Sequence, residues 1–224
     1  MSAPLILELL NGTDWGAYQG LVRELHQWEK YPLFEEAVYT LKREALFESA
    51  IHGPGHIERT LCHGAFCAMA EGLSEEDTRL LLLACAYHDI GRKHDSLDDL
   101  HGWRSAQQLP QWTGLEGEER KLVQAAVDAH SRNDKELEAT LEGYQLADPQ
   151  RGKVLALLLK DADGLDRVRI WDLDPVYLRR ETSRQRAGFA KELYIRYQTK
   201  SGGVLVPDFV KEWKGLDDRG EKIR

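Results

Sequence analysis

Apolar residues along this chain recur at intervals of three and four, the period of helices that bury one face. Between residues 17 and 50 the set Leu21, Val22, Leu25, Trp28, Phe34, Ala37, Val38 and Leu41 keeps that spacing. Tyr31-Pro32 divides it into two helices, because a residue before proline is disfavoured in the α region. His52-Gly53-Pro54-Gly55 interrupts the pattern again, and a helix restarts near His56 and runs to about Glu71, where Gly72 stops it. Ser74-Glu75-Glu76-Asp77 resembles a capping box, with Asp in place of the usual Glu, and opens a helix to about Asp89 with Gly91 as its C-terminal stop.

Downstream, Asp98 or Asp99 caps a short helix around 101–109 that Pro110 closes, and Glu116–Ser131 reads as an amphipathic helix with acids in its first turn. Gln150–Val168 is strongly apolar, and one long helix is predicted over roughly 176–199, ended by Gly202-Gly203. Val204-Leu205-Val206 is the one β-like run and is too brief to found a sheet. The pattern predicts an all-α fold: a compact helical core over residues 48–170, an N-terminal helical extension over 1–47, and a C-terminal helical segment over 171–224 packed on the core.

Composition narrows the class. Hydrophobic residues make up 42% and charged residues 30% of the 224, as in soluble globular proteins. There is no apolar run of transmembrane length and no basic region ahead of an apolar stretch at the N-terminus, which predicts a protein with no membrane span and no secretory leader. Cys62, Cys67 and Cys85 have neither a zinc spacing nor an even count and read as reduced thiols, so a cytoplasmic location is expected. A net charge of −8 argues against bulk nucleic-acid binding. Between Arg167 and Lys200, however, nine Lys and Arg face four Asp and Glu, which is either a solvated helix surface or a cationic wall beside a phosphate site.

The candidate chemistry centres on His88-Asp89. Counting back from His88 by helical steps meets Cys85, Ala84, Leu81 and Leu80, and from His130 meets Val127, Ala126, Val123 and Leu122. Each histidine thus ends an apolar stripe at a helix C-terminus, where partial negative charge favours a cation. An imidazole and a carboxylate buried there need a partner, and a divalent metal satisfies both. Helical spacing in Asp161-Ala162-Asp163-Gly164-Leu165-Asp166 turns Asp161 inward rather than Asp163, so spacing leaves the third acid open. His56 opens its helix with Arg59 one turn later, either a phosphate contact or a partner for a nearby acid such as Glu58.

In this order, His56-x-x-Arg59, His88-Asp89-Ile90-Gly91 and Ala162-Asp163-Gly164-Leu165-Asp166 resemble the HD-domain superfamily of metal-dependent phosphohydrolases over about residues 48–170. The resemblance implies a metal held by His56, His88, Asp89 and Asp163, which makes Asp161 a candidate to orient a ligand or to pair with Lys160. Some branches add two histidines between the His-Asp pair and the last Asp. His101 and His130 fall in that order, and would hold a second metal or else contact phosphate or donate a proton. His52, His63 and His94 read as ordinary residues. Family members often carry Lys after His-Asp-Ile-Gly; here Arg92-Lys93 stands there, which keeps the charge but removes an easy proton donor at the first position.

The expected cofactor is one or two divalent ions of manganese, iron, cobalt, nickel, zinc or magnesium, generating hydroxide for attack on phosphorus. Asp89 is expected at the reaction centre with Arg59, Arg92 and Lys93; Arg59, Arg104, His101 and His130 are expected at the substrate, and Asp95, Asp98 or Asp99 could accept a proton. The expected partner is a small phosphorylated molecule such as a nucleotide, with Trp103, Trp112, Trp171 and Tyr177 available for stacking. Two other readings stand beside hydrolysis: a di-iron oxygenase using the same ligand set, and a non-catalytic nucleotide-sensing module.

Overall fold

Twelve α-helices account for most of the described residues, 3–203, in this computed structural model, and no strand occurs among them. They are α1 (Leu5–Gly12), α2 (Gln19–Gln27), α3 (Tyr31–Tyr39), α4 (Pro54–Ala70), α5 (Glu75–Tyr87), α6 (His101–Gln108), α7 (Pro110–Thr113), α8 (Gly117–His130), α9 (Leu137–Gly143), α10 (Pro149–Leu165), α11 (Glu181–Arg184) and α12 (Ala187–Ser201). The all-α expectation is met. The Val204-Leu205-Val206 run lies outside the described residues.

Helices α4, α5, α8 and α10 pack on one another, and α6 lies along α8. Their apolar stripes form the core: Ile57, Leu61 and Phe66 from α4, Leu80 and Leu81 from α5, Leu122 and Val123 from α8, and Leu155, Leu158 and Leu159 from α10, all essentially without solvent exposure. Truncating one such leucine to alanine costs about 2–5 kcal/mol, so any one of these contacts is a large share of a domain's net stability.

The helix ends are tied as the local sequence suggests. Ser74 Oγ accepts from the Asp77 amide at 3.0 Å, and Asp148 Oδ1 accepts from the Arg151 amide at 2.9 Å. Arg151 then joins the first turns of α10 and α5 through Glu76 and Asp77, each at 2.6 Å. Buried Glu58 anchors α1 and α12 to α4, accepting from the Ile6 amide and the Tyr197 hydroxyl at 3.0 Å each, and it pairs with Arg43.

Several elements differ from their sequence-based expectation. The helix begun at Tyr31 ends at Tyr39, and only a 3₁₀ turn, Arg43–Ala45, falls between it and α4. Helices α1 and α9 are short and were not marked by the pattern. No single helix covers 176–199: a 3₁₀ turn at Pro175–Tyr177 leads into extended Leu178, then α11 and α12. The cause is Asp161, whose two carboxylate oxygens accept the backbone amides of Arg179 and Arg180 at 2.8 Å each and so withdraw those amides from a helix. Asp161 is therefore a clamp on this segment, not a partner of Lys160.

Gly91 also has a different task. Helix α5 already ends at Tyr87, and Gly91 is not left-handed. A Cβ there would lie 2.3 Å from the Ser105 amide nitrogen, so its bareness lets α6 approach. Gly102 does the same from the other side, where a Cβ would lie 2.6 Å from the Val127 carbonyl oxygen. No described helix is long and apolar enough to cross a membrane.

In the middle of α4, His63 is fully buried, neither ring nitrogen has a hydrogen-bond partner, and burial pushes its pKa down from 6.5 to about 4. The unfolded chain takes up a proton at His63 as pH falls below about 6.5, whereas the folded chain resists until about 4. The contribution of neutral His63 to stability is thus complete above that window and is lost as pH falls across it. Urea unfolding between pH 7.5 and 4 should show a loss that is about 3 kcal/mol smaller in His63→Leu than in the wild type.

Candidate metal centre

Five core elements deliver six polar side chains to one place. His56 comes from the first turn of α4, His88 and Asp89 from the end of α5, His101 from the start of α6, His130 from the end of α8 and Asp163 from α10. Nε2 of His56 lies 3.0 Å from Nε2 of His88, 3.6 Å from Asp89 Oδ2 and 3.4 Å from Asp163 Oδ1. On the other side of Asp89, Oδ1 lies 3.1 Å from His101 Nε2 and 3.7 Å from His130 Nε2, which are 2.9 Å from each other.

The opposite nitrogens explain why these contacts are not hydrogen bonds. Nδ1 of His88, His101 and His130 meet the carbonyl oxygens of Cys85, Asp98 and Val127 at 2.9, 2.5 and 2.5 Å. A carbonyl can only accept, so each Nδ1 carries the proton and each Nε2 presents a lone pair. His56 is set the same way by Asp166, whose Oδ2 is 2.7 Å from its Nδ1. Cys85 and Val127 lie in the last turns of α5 and α8, where carbonyls have no backbone donor, so each helix end orients the histidine that closes it.

Four lone pairs and three buried carboxylate oxygens without hydrogen-bond partners (both of Asp89 and Oδ1 of Asp163) therefore converge. Such a set repels itself and is relieved by a cation. Donors bound side by side to one ion at ~2.1 Å sit ~3 Å apart, close to the spacing of the paired imidazoles. His56, His88 and Asp163 form one grouping able to hold an ion, and His88, Asp89 and His130 another.

Protonation states agree with this use. Burial, then the charge of Arg169, lowers His56 to about 3, and burial lowers His130 to about 4, so both are neutral at pH 7. Burial acts to raise Asp163 and Asp166, yet the charge of Arg169 on the first and of Arg59 on the second holds both well below the usual carboxylate range. Neutral imidazole and ionised carboxylate are the metal-binding forms.

With the geometry described, the comparison with known families is decisive: the HD domain family matches residues 55–168, half of the chain. The chain belongs to the HD domain family. HD domains bind divalent metals, and their superfamily consists mostly of metal-dependent phosphohydrolases. No curated protein and no solved structure matches the chain.

The remaining expected residues of this HD domain fall differently. Arg59 does not reach for phosphate: it is buried and gives Nε and Nη2 to Asp166 at 2.6 and 3.0 Å, beneath Tyr194 and Tyr197. Arg104 is held by Asp98 and by the Gly91 carbonyl, which also removes Asp98 as a free base. Arg92 does lie at the centre, its Nε 2.9 Å from Asp89 Oδ2, while Lys93 is exposed. The cationic run is largely paired, as Arg167–Asp172, Arg179–Asp134, Arg184–Glu181 and Arg196–Glu192 show. Trp112 packs on the core, Trp103 on a separate groove and Trp171 is exposed outside the cavity, whereas Tyr177 lies on a cavity of about 470 Å³ beside His130 and Asp163.

Two supports escaped the sequence reading. Asp166 orients His56, and Lys160, buried in α10, caps the end of α8 by donating to the carbonyls of Ala129 at 2.9 Å and Arg132 at 2.6 Å. A signal for Asp166 existed, since it follows Asp163 by one helical turn in an otherwise apolar helix. For Lys160, burial of a lysine cannot be read from its spacing. Asp166→Asn should keep the helical content while weakening manganese binding by about 10- to 100-fold, measured by calorimetry, because His56 loses its charged acceptor. Gly91→Ala should push α6 and His101 away and cost about 1–3 kcal/mol in urea unfolding.

Proposed function

We propose that the protein is a metal-dependent phosphohydrolase acting on a small phosphorylated substrate: a phosphomonoester, a phosphodiester or a nucleotide. The observation that carries the reading is the convergence of four imidazole lone pairs on the Asp89 carboxylate, which has an ion-pair partner in Arg92 and no hydrogen-bond donor. His56, His88, Asp89 and Asp163 would hold one divalent ion, and His101, His130 and the other oxygen of Asp89 a second. Mixed imidazole and carboxylate donors suit manganese, iron, cobalt, nickel or zinc better than magnesium, which prefers oxygen ligands. When bound, such an ion supplies a hydroxide at neutral pH and draws charge from the phosphoryl oxygens.

The chain's own groups do the rest. Arg92 brings positive charge within 2.9 Å of Asp89 and 3.3 Å of His101 Nε2. The cavity beside His130 and Asp163, walled by Leu173, Tyr177 and Leu178, receives the leaving portion of the substrate. His52, buried with its ring 6.0 Å from that of His56, has Nδ1 2.8 Å from Asp95 Oδ1. With Asp95 holding the proton on Nδ1, Nε2 is the atom that can take up or return a proton at the centre. In this reading Asp95 orients His52, and His52 rather than Asp95, Asp98 or Asp99 takes the proton.

Phosphate release across a panel of nucleotides and simple phosphoesters, with the six metals supplied one at a time, should reveal a metal-dependent substrate. Asp89→Ala should lose bound metal and turnover while circular dichroism stays unchanged. A variant that retains wild-type metal stoichiometry would sink the assignment.

A further inference from the structure

Most cations near the centre already have acceptors. Arg59 is spent on Asp166, Arg104 on Asp98, Arg179 on Asp134 and Lys160 on the carbonyls that end α8. Arg169 differs. Its side chain is only 5% exposed, yet buried Nε and Nη1 have no hydrogen-bond partner. Nη1 stands 3.7 Å from Asp163 Oδ1 and 3.8 Å from Asp166 Oδ2, near enough to feel their charge and too far for a hydrogen bond. A guanidinium stripped of water with unfilled donors is costly unless an acceptor arrives.

The backbone around it is built to hold that position. Arg169 lies in the 3₁₀ turn Asp166–Ile170, which Trp171 ends with a left-handed φ of 61°, rare for a bulky residue. The turn is closed by the Trp171 amide on the Val168 carbonyl at 3.1 Å and the Asp172 amide on the Arg167 carbonyl at 3.2 Å. Asp163 is the more solvent-accessible carboxylate of the centre, its side chain 23% exposed against 3% for Asp89, so the centre is more open at Asp163, 3.7 Å from Arg169 Nη1. Once Asp163 Oδ1 is shared with an ion it offers Arg169 less charge, and the guanidinium is left to an incoming oxyanion.

We propose that Arg169 is a substrate-binding residue whose guanidinium takes a phosphoryl oxygen on the Asp163 side of the centre. This rests on the phosphohydrolase reading and adds to it a residue that selects a tetrahedral oxyanion.

Inorganic phosphate is the probe, titrated by calorimetry into manganese-loaded wild type, R169Q and R169K, with metal content measured by mass spectrometry and folding by thermal melting. R169Q should keep the wild-type metal content and bind phosphate about 10- to 100-fold more weakly, with R169K between, and KM for substrate should rise more than kcat falls. Wild-type phosphate affinity in R169Q overturns the assignment; so does loss of metal along with phosphate, which would make Arg169 a support for Asp163. Should R169Q not fold, unchanged affinity in R169K overturns it, since lysine lacks the fork. Failure of metal-loaded wild type to bind phosphate at all also overturns it. The two readings fail separately: phosphate binding that depends on Arg169 without hydrolysis of any substrate removes only the hydrolase, and hydrolysis with an unaffected R169Q removes only the role of Arg169.

Discussion

Four imidazole nitrogens that cannot donate, set around a carboxylate that none of them can satisfy, form the constraint on which this fold turns. Each Nε2 lone pair repels its neighbour and, more strongly, the charge of Asp89, and a bound metal cation converts those repulsions into bonds. The structure holds the set together from behind: three histidines are tethered through Nδ1 to backbone carbonyls and the fourth to Asp166. None of the rings can turn its proton inward without giving up that tether.

Those tethers in turn depend on where helices end. The carbonyls that hold His88 and His130 are free because α5 and α8 stop there, and Lys160 takes up the next carbonyls of α8 from a neighbouring helix. Behind His56 stand Asp166 and then Arg59, an ion pair buried with two tyrosines against it. Asp161, one helical turn or less from both Asp163 and Lys160, fastens the chain that walls the adjoining cavity. The apolar core and the polar centre are thus one design: the buried helix ends that stability would avoid are the ones the centre uses.

Much of this was legible in order and period. Helical spacing predicts α4, α5, α8 and α10 to within a few residues, because each buries a continuous stripe whose period survives any packing arrangement. The ordered His56, His88-Asp89 and Asp163 set carries the resemblance to HD domains, and the family match covers the same stretch. Spacing also turned Asp161 inward, and Asp161 is indeed fully buried, but what it meets is a pair of backbone amides. Arg59 shows the same limit: its place one turn after His56 is plain, whereas its partner comes from a residue more than a hundred positions away.

The sequence alone determined which segments are helical, where apolar stripes end in histidine, and that a metal-binding set exists, because these follow from local periodicity and from the chemistry of the residue types. Only the tertiary structure decided which nitrogen of each histidine faces the centre, which acids serve the backbone and which serve an ion, and that Arg169 rather than Arg59 is left with open donors. Those outcomes depend on hydrogen-bond partners brought together across the whole domain, and on the bare backbone at Gly91 and Gly102 that lets α6 close over the centre. Pairing at that distance has no period, so no local pattern can record it.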